Sequence, residues 1–209
     1  IMLEKACPDI MVCVDFSDAI YDCQKNLKDC DNAIFIKADV LSHPFGNDFC
    51  DFMYCLGVLH HTTSPALEAV RSLKACSPEF LVYLYYSLDN RSAWYKGLFL
   101  VVDSIRKMLC SVKSNRFRLL TSYVIALLVY LPMVLIGSLF NMFGLGYKIP
   151  LYEFYRKKSV KRLAQDAYDR FFTSIEQRVS KAEILTLADT YNSVVVSEGL
   201  PLWHFLLKR

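Results

Sequence analysis

The chain has 209 residues, enough for one α/β domain with its own core and a subdomain. A net charge of +3 is too small to mark a nucleic-acid binder, and no nucleic-acid motif accompanies it, so no nucleic-acid partner is expected. Eight scattered cysteines with no Cys-x-x-Cys pair fit a reducing cytosol and argue against a disulfide scaffold or a metal site.

Taken in order, Met11 to Val14 is a short apolar run that ends in Asp15. Ser17 can cap a helix over residues 18–28. Ala33 to Ile36 is a second run, closed by Lys37-Ala38-Asp39. Phe49 to Cys55 is a third, and it delivers Gly57, His60 and His61. Ser64 as N-cap with Pro65 at the first helical position opens a helix to about Ala75. Phe80 to Tyr86 reads as a fourth strand. Strands and helices alternating over short connections predict a parallel sheet with right-handed crossovers. Residues 91–172 then look helical and irregular. Ser180-Lys-Ala-Glu183 is a capping box before another helix. Ser193 to Ser197 and Trp203 to Leu207 read as two strands joined by Glu198-Gly199-Leu200-Pro201. That link is too short for a parallel crossover, so the last pair should be antiparallel.

Three strand ends thus carry polar residues to one edge: Asp15, Asp39, and Gly57 with His60 and His61. The carboxyl edge of such a sheet is where ligands bind. A carboxylate can accept from two ribose hydroxyls at once, and a second acid on the next strand can accept from an adenine amino group. Taken singly, each acid could equally be a cap or turn residue. Their joint placement favours the ligand role.

Val14-Asp15-Phe16-Ser17, Lys37-Ala38-Asp39-Val40-Leu41-Ser42-His43-Pro44-Phe45, and Phe49-Cys50-Asp51 through Gly57-Val58-Leu59-His60-His61 resemble successive motifs of class I S-adenosylmethionine-dependent methyltransferases. The resemblance spans about residues 1–87, and the C-terminal hairpin is similar to the antiparallel end of that family's seven-stranded sheet. It implies a Rossmann-like, mostly parallel α/β sheet. S-adenosyl-L-methionine would be the cofactor. Asp15 would bind its ribose beside Phe16 and Ser17, and Asp39 with Val40 would meet the adenine edge. Leu56 and Gly57 would lie near the methionine moiety. His60 and His61 would face the reaction pocket as candidate bases. The family's first strand and glycine-rich loop have no counterpart before Met11. The chain therefore reads as a fragment, impaired in cofactor binding relative to its parent.

Residues 91–174 form the predicted insert, and 1–90 with 175–209 the methyltransferase-like domain. From Ser104 to Tyr152 there is no acidic residue, and from Leu119 to Tyr147 no charged one, with basic residues on both sides. Pro132, Gly137 and Asn141 are expected to split the run into two segments of about a dozen residues each. Such a segment could cap the active site, lie in a membrane surface through 104–162, or span a bilayer. The cap is preferred, because the family places substrate elements after the fourth strand.

The expected protein is thus a cytoplasmic methyltransferase, peripheral at a membrane, acting on a small or lipid-linked acceptor. The alternative is a non-catalytic methyltransferase-like domain used for membrane or protein interaction.

Overall fold

A computed structural model describes residues 7–42, 45–89, 93–149, 151–198 and 203–209. His43 and Pro44 of the second motif, and Gly199 to Pro201 of the final connection, lie outside them. The chain divides into two compact units, one drawn from Ile1–Tyr83, Ala182–Ser197 and His204–Arg209, the other from Leu84–Lys181 and Glu198–Trp203.

In the first unit β1 (Met11–Asp15) is followed by α1 (Ala19–Asn26), β2 (Ala33–Lys37), β3 (Phe52–Leu56), α2 (Ala66–Ser72) and β4 (Glu79–Leu84). β5 (Ser193–Val196) and β6 (Trp203–Lys208) complete it. β1 pairs with β2 in parallel, Asp15 opposite Lys37. β3 pairs with β4 in parallel, Leu56 opposite Tyr83. β5 and β6 are antiparallel, Val194 opposite Leu207, as the short link requires. Lys208 at the end of β6 pairs with Glu79 at the start of β4 at 2.7 Å, so β6 runs against β4.

These strands form two blocks, β1–β2 and β3–β4–β6–β5. A doubly wound sheet has the order 3-2-1-4-5, with its first strand in the middle. The break between β1 and β3 falls where that first strand would lie, and β2, β1, β3 and β4 match the other four, with the β6–β5 hairpin added beyond β4. Phe52, Tyr54 and Leu56, which share one face of β3, are exposed at 45%, 37% and 44%, so no helix fully covers that face among the described residues. Burial raises the Tyr54 phenol above its ordinary pKa, and the thiols of Cys13 and Cys23 raise it further, so β1 and α1 lie close to β3 without a ladder.

The core of this unit follows the alternation of its strands. Phe80 and Val82 of β4 and Phe205 and Leu207 of β6 are buried at every second position. Val70 of α2 is fully buried, and its carbonyl accepts from the Tyr191 hydroxyl at 2.9 Å. Two expected boundaries shift. β3 starts at Phe52 rather than Phe49, because the Cys50 amide is spent on the Cys76 carbonyl outside the ladder. Pro65 is the N-cap of α2 rather than its first helical residue, and α2 ends at Ser72, where a 3₁₀ turn takes over.

The second unit is helical: α3 (Ala93–Cys110), α4 (Asn115–Asn141), α5 (Tyr152–Tyr155) and α6 (Val160–Phe172). A fifth short helix, α7 (Lys181–Leu185), begins at its border. The expected split at Pro132 does not occur. Residues 126–130 form one π-helical turn, and Pro132 falls in the first turn of the α-helical stretch after it. The widened turn absorbs the missing N–H and the ring bulk of proline, so one helix of 27 residues continues through it. Ser114 caps its start by accepting from the Phe117 amide at 3.4 Å. Ala126 and Tyr130 of α4 pack with Tyr155, Leu163, Ala164 and Ala167, and the Tyr130 and Tyr155 rings stack at 5.0 Å.

Candidate functional site

The parallel β1–β2 pair brings two carboxylates to the same end of the sheet, Asp15 opposite Lys37 and Asp39 two residues further on. Asp15 ends β1, and its backbone carbonyl accepts from the Ala38 amide at 3.1 Å, one residue before Asp39. The Asp15 Oδ1 accepts from both the Ser17 amide and the Ser17 hydroxyl, each at 2.7 Å. Ser17 Oγ in turn accepts from the Ala19 amide at 3.2 Å, opening α1. Asp39 Oδ1 accepts from the Leu41 amide at 2.9 Å in a short 3₁₀ turn, Val40–Ser42. Each acid therefore does the turn work that a bland reading assigns to it. Among the described residues that work engages only Oδ1 of each, which leaves Oδ2 for another donor. Phe16 stands beside Asp15 and is 74% exposed, left uncovered by the described residues.

β3 ends at Leu56, which is exposed. Gly57 follows with φ of 81°, a conformation that L side chains rarely adopt. A Cβ there would only reach ordinary contact with the Tyr83 ring at 3.7 Å, so the dihedral, not space, requires glycine. The Gly57 amide donates to the Tyr83 carbonyl at 3.1 Å, which fixes the turn against β4. The next turn, Leu59–His61, separates the two histidines. His60 is fully buried, and His61 is half-buried.

Their rings lie 4.1 Å apart. Tyr83 meets the edge of His60 at 6.2 Å and stacks on His204 at 4.7 Å. Three imidazoles and a phenol thus gather where β3 and β4 end and β6 begins. Tyr83 and His204 are absent from the sequence-based site, because only the β4–β6 pairing brings them to the histidines. Among the described residues no group of three or more His, Cys, Asp or Glu is placed to hold a metal. Burial pushes the Cys55 thiol up to about 11, and burial followed by Cys23 pushes Cys13 to about 11, so neither is a ready nucleophile.

The helical unit has a polar knot of its own. Arg178 lies 4.2 Å from the Phe99 ring and 5.3 Å from the Tyr85 ring, and donates to the Tyr86 carbonyl at 3.1 Å. It also pairs with Glu176. Arg106 bonds Asp103 at 2.8 Å and the Thr173 carbonyl at 2.9 Å. Tyr85 and Tyr86 are held in this packing. Asp169 is exposed. Its carboxyl is nevertheless raised, by burial of its oxygens first and then by Asp166.

The adenosine side of an S-adenosylmethionine site fits these residues: two adjacent acids with a spare oxygen each, and an exposed aromatic ring beside them. Opposite it, the described residues supply the Gly57 turn but no glycine-rich loop. No curated protein matches the chain. Residues 2–76 match the family model described as Methyltransferase domain. With the strand order around the break, that match supports a class I S-adenosylmethionine-dependent methyltransferase-like domain in this part of the chain.

Proposed function

We propose that the protein acts, from the cytoplasmic side, in methyl transfer from S-adenosylmethionine to a small or lipid-like acceptor. The observation that carries this reading is that Asp15 and Asp39 stand at the ends of adjacent parallel strands, each with one carboxylate oxygen engaged locally. Asp15, oriented by Ser17, would take the ribose hydroxyls, with Phe16 against the base. Asp39 and the Val40 backbone would take the adenine edge, and Leu56 with Gly57 the methionine end. The cofactor supplies a methyl on a sulfonium, a potent leaving group, so positioning provides much of the rate. A base matters only for an alcohol or a protonated amine. His61, half-buried, is the candidate for that task, and buried His60 with Tyr83 would hold it in place.

The test is calorimetric titration of S-adenosylhomocysteine into a form of the protein that also carries a glycine-rich first βα segment. Binding should appear, and Asp15→Ala should weaken it by about tenfold or more. Undiminished affinity in that variant removes Asp15 from the site.

The break in the sheet supports a second reading, a methyltransferase-like domain used for binding alone. Transfer of labelled methyl groups into cell extract decides between the two.

A further inference from the structure

The long helix α4 has two opposite faces of different character. Ser122, Ala126, Tyr130 and Gly137 are buried, at spacings of four, four and seven. Leu120, Val124, Leu128, Leu135 and Leu139 repeat that spacing two residues earlier or later and are exposed, Leu128 at 72% and Leu139 at 63%. Two residues are about 200° around a helix, so the second row lies opposite the first. Only 17% of the most apolar window of α4 is buried inside the protein. A soluble core helix would show the reverse. The stripe runs on past the helix into Met142 and Phe143, the latter 80% exposed.

The charges around this stripe indicate what covers it. Lys113 and Arg116 stand exposed at the start of α4, and Lys148, Lys157 and Lys158 beyond its end. The Lys148 ammonium lies 5.9 Å from the Tyr147 ring and that of Lys158 5.9 Å from the Phe154 ring. Aromatic rings beside lysines are the composition of a membrane interface. Glu153, the first acid after Asp103, is paired with Arg156 at 3.3 Å. The surface is therefore apolar along its length, cationic at both ends, and suited to an anionic lipid headgroup layer.

The same facts fix the orientation. α6 packs on the back of α4 through Leu163, Ala164 and Ala167, and carries Lys161, Arg162 and Asp169 exposed. If α4 crossed the bilayer, those charges would be drawn into hydrocarbon. The cations are also balanced between the two ends, whereas a spanning helix is flanked asymmetrically. We propose that α4 lies in the plane of the membrane, with the Leu120-to-Leu139 stripe and Phe143 among the acyl chains. α6 stays in water, and the lysines at both ends hold anionic headgroups. This deepens the lipid-like side of the function proposed above.

The test is flotation of the full chain with vesicles of three parts phosphatidylcholine to one part phosphatidylglycerol. The protein should rise with the vesicles, and less so with phosphatidylcholine alone. Leu128→Asp with Leu139→Asp should cut the floated fraction by about tenfold or more. Both positions are solvent-exposed, and circular dichroism checks that the helices persist. Should that pair fail to fold, Leu128→Trp and Phe143→Trp give a second readout. Their fluorescence should be quenched most by lipids brominated near the headgroup. Three results overturn the proposal: no flotation, flotation untouched by the aspartates, or strongest quenching from the bilayer centre with resistance to alkaline carbonate, which marks a spanning helix. Self-association in solution that the aspartates abolish, without flotation, would assign the stripe to a second copy of the chain. None of these readouts involves methyl transfer, so the lipid claim and the catalytic reading fail separately.

Discussion

Gly137 of α4 lies so close to Tyr152 that a Cβ at position 137 would come within 2.4 Å of the tyrosine ring and 2.6 Å of its own Cβ. In an exposed helix, glycine to alanine gains about 1 kcal/mol. Here the sign should reverse, because the obstructing atoms sit next to the backbone and cannot swing away. Gly137→Ala is expected to lower the melting temperature, and Tyr152→Ala in the same chain should recover part of the loss. Thermal melts of the two single variants and the double variant measure that coupling.

Asp15 does two tasks that can be separated. Asp15→Asn retains an acceptor for the Ser17 amide and hydroxyl, so the turn into α1 should survive. The amide offers one acceptor fewer to a diol and carries no charge. Calorimetry should therefore show S-adenosylhomocysteine affinity falling about tenfold, with the melting temperature nearly unchanged. An equal fall in both would mean that Asp15 is only a turn residue.

His60 and His61 should respond differently to the same change. His60 is fully buried beside Tyr83, so His60→Gln should destabilise the α/β unit, by about 1–3 kcal/mol in denaturant titration. His61→Gln, at a half-buried position, should leave stability within about 0.5 kcal/mol and lower turnover with an alcohol acceptor.

Asp103 links stability to pH. Burial alone would raise its carboxyl, but the bonds from Lys107 and Arg106 outweigh that and hold it below the ordinary carboxylate value. A carboxyl depressed on folding stabilises the protein above its unfolded pKa, and that contribution disappears as pH falls through the folded value. The helical unit should therefore lose stability on acidification below the usual carboxylate range. Asp103→Asn should flatten that part of the profile, followed by helical dichroism during denaturant titration.

Cysteine reactivity should be ordered by burial. With thiols near 11, Cys13 and Cys55 are ionised at pH 8 to roughly one part in a thousand. Mass spectrometry after brief iodoacetamide treatment should find exposed Cys7 modified well before either.

Much of the α/β unit is legible in the sequence because its signals are local. An apolar run closed by an acid gives β1 and β2 within a residue, and a two-strand tail with a four-residue link can only be antiparallel. The acids and the glycine turn of the site are legible for the same reason: they are consecutive with strand ends. Tyr83 and His204 are not, since their meeting depends on β4 lying beside β6, a fact about the ladder that no spacing along the chain records. The start of β3 is missed because Cys50 looks like strand but bonds a loop carbonyl. α4 is misjudged as two pieces because proline is ordinarily a stop, and a single π turn removes the conflict without leaving a trace in composition.

The break in the sheet also bears on how the protein opens. In a continuous sheet each ladder braces the next, and order is passed sideways from strand to strand. Between β1 and β3 no ladder exists to pass it. β1, β2 and α1 therefore form a separate opening unit from the four-stranded block, and their amides should exchange with solvent at their own, faster rate. A strand laid into the break would bond to both edges at once and give all the strands a single shared exchange rate. The adenosine-side acids Asp15 and Asp39 belong to the looser block, so the rigidity of that half of the site depends on what occupies the space beside it.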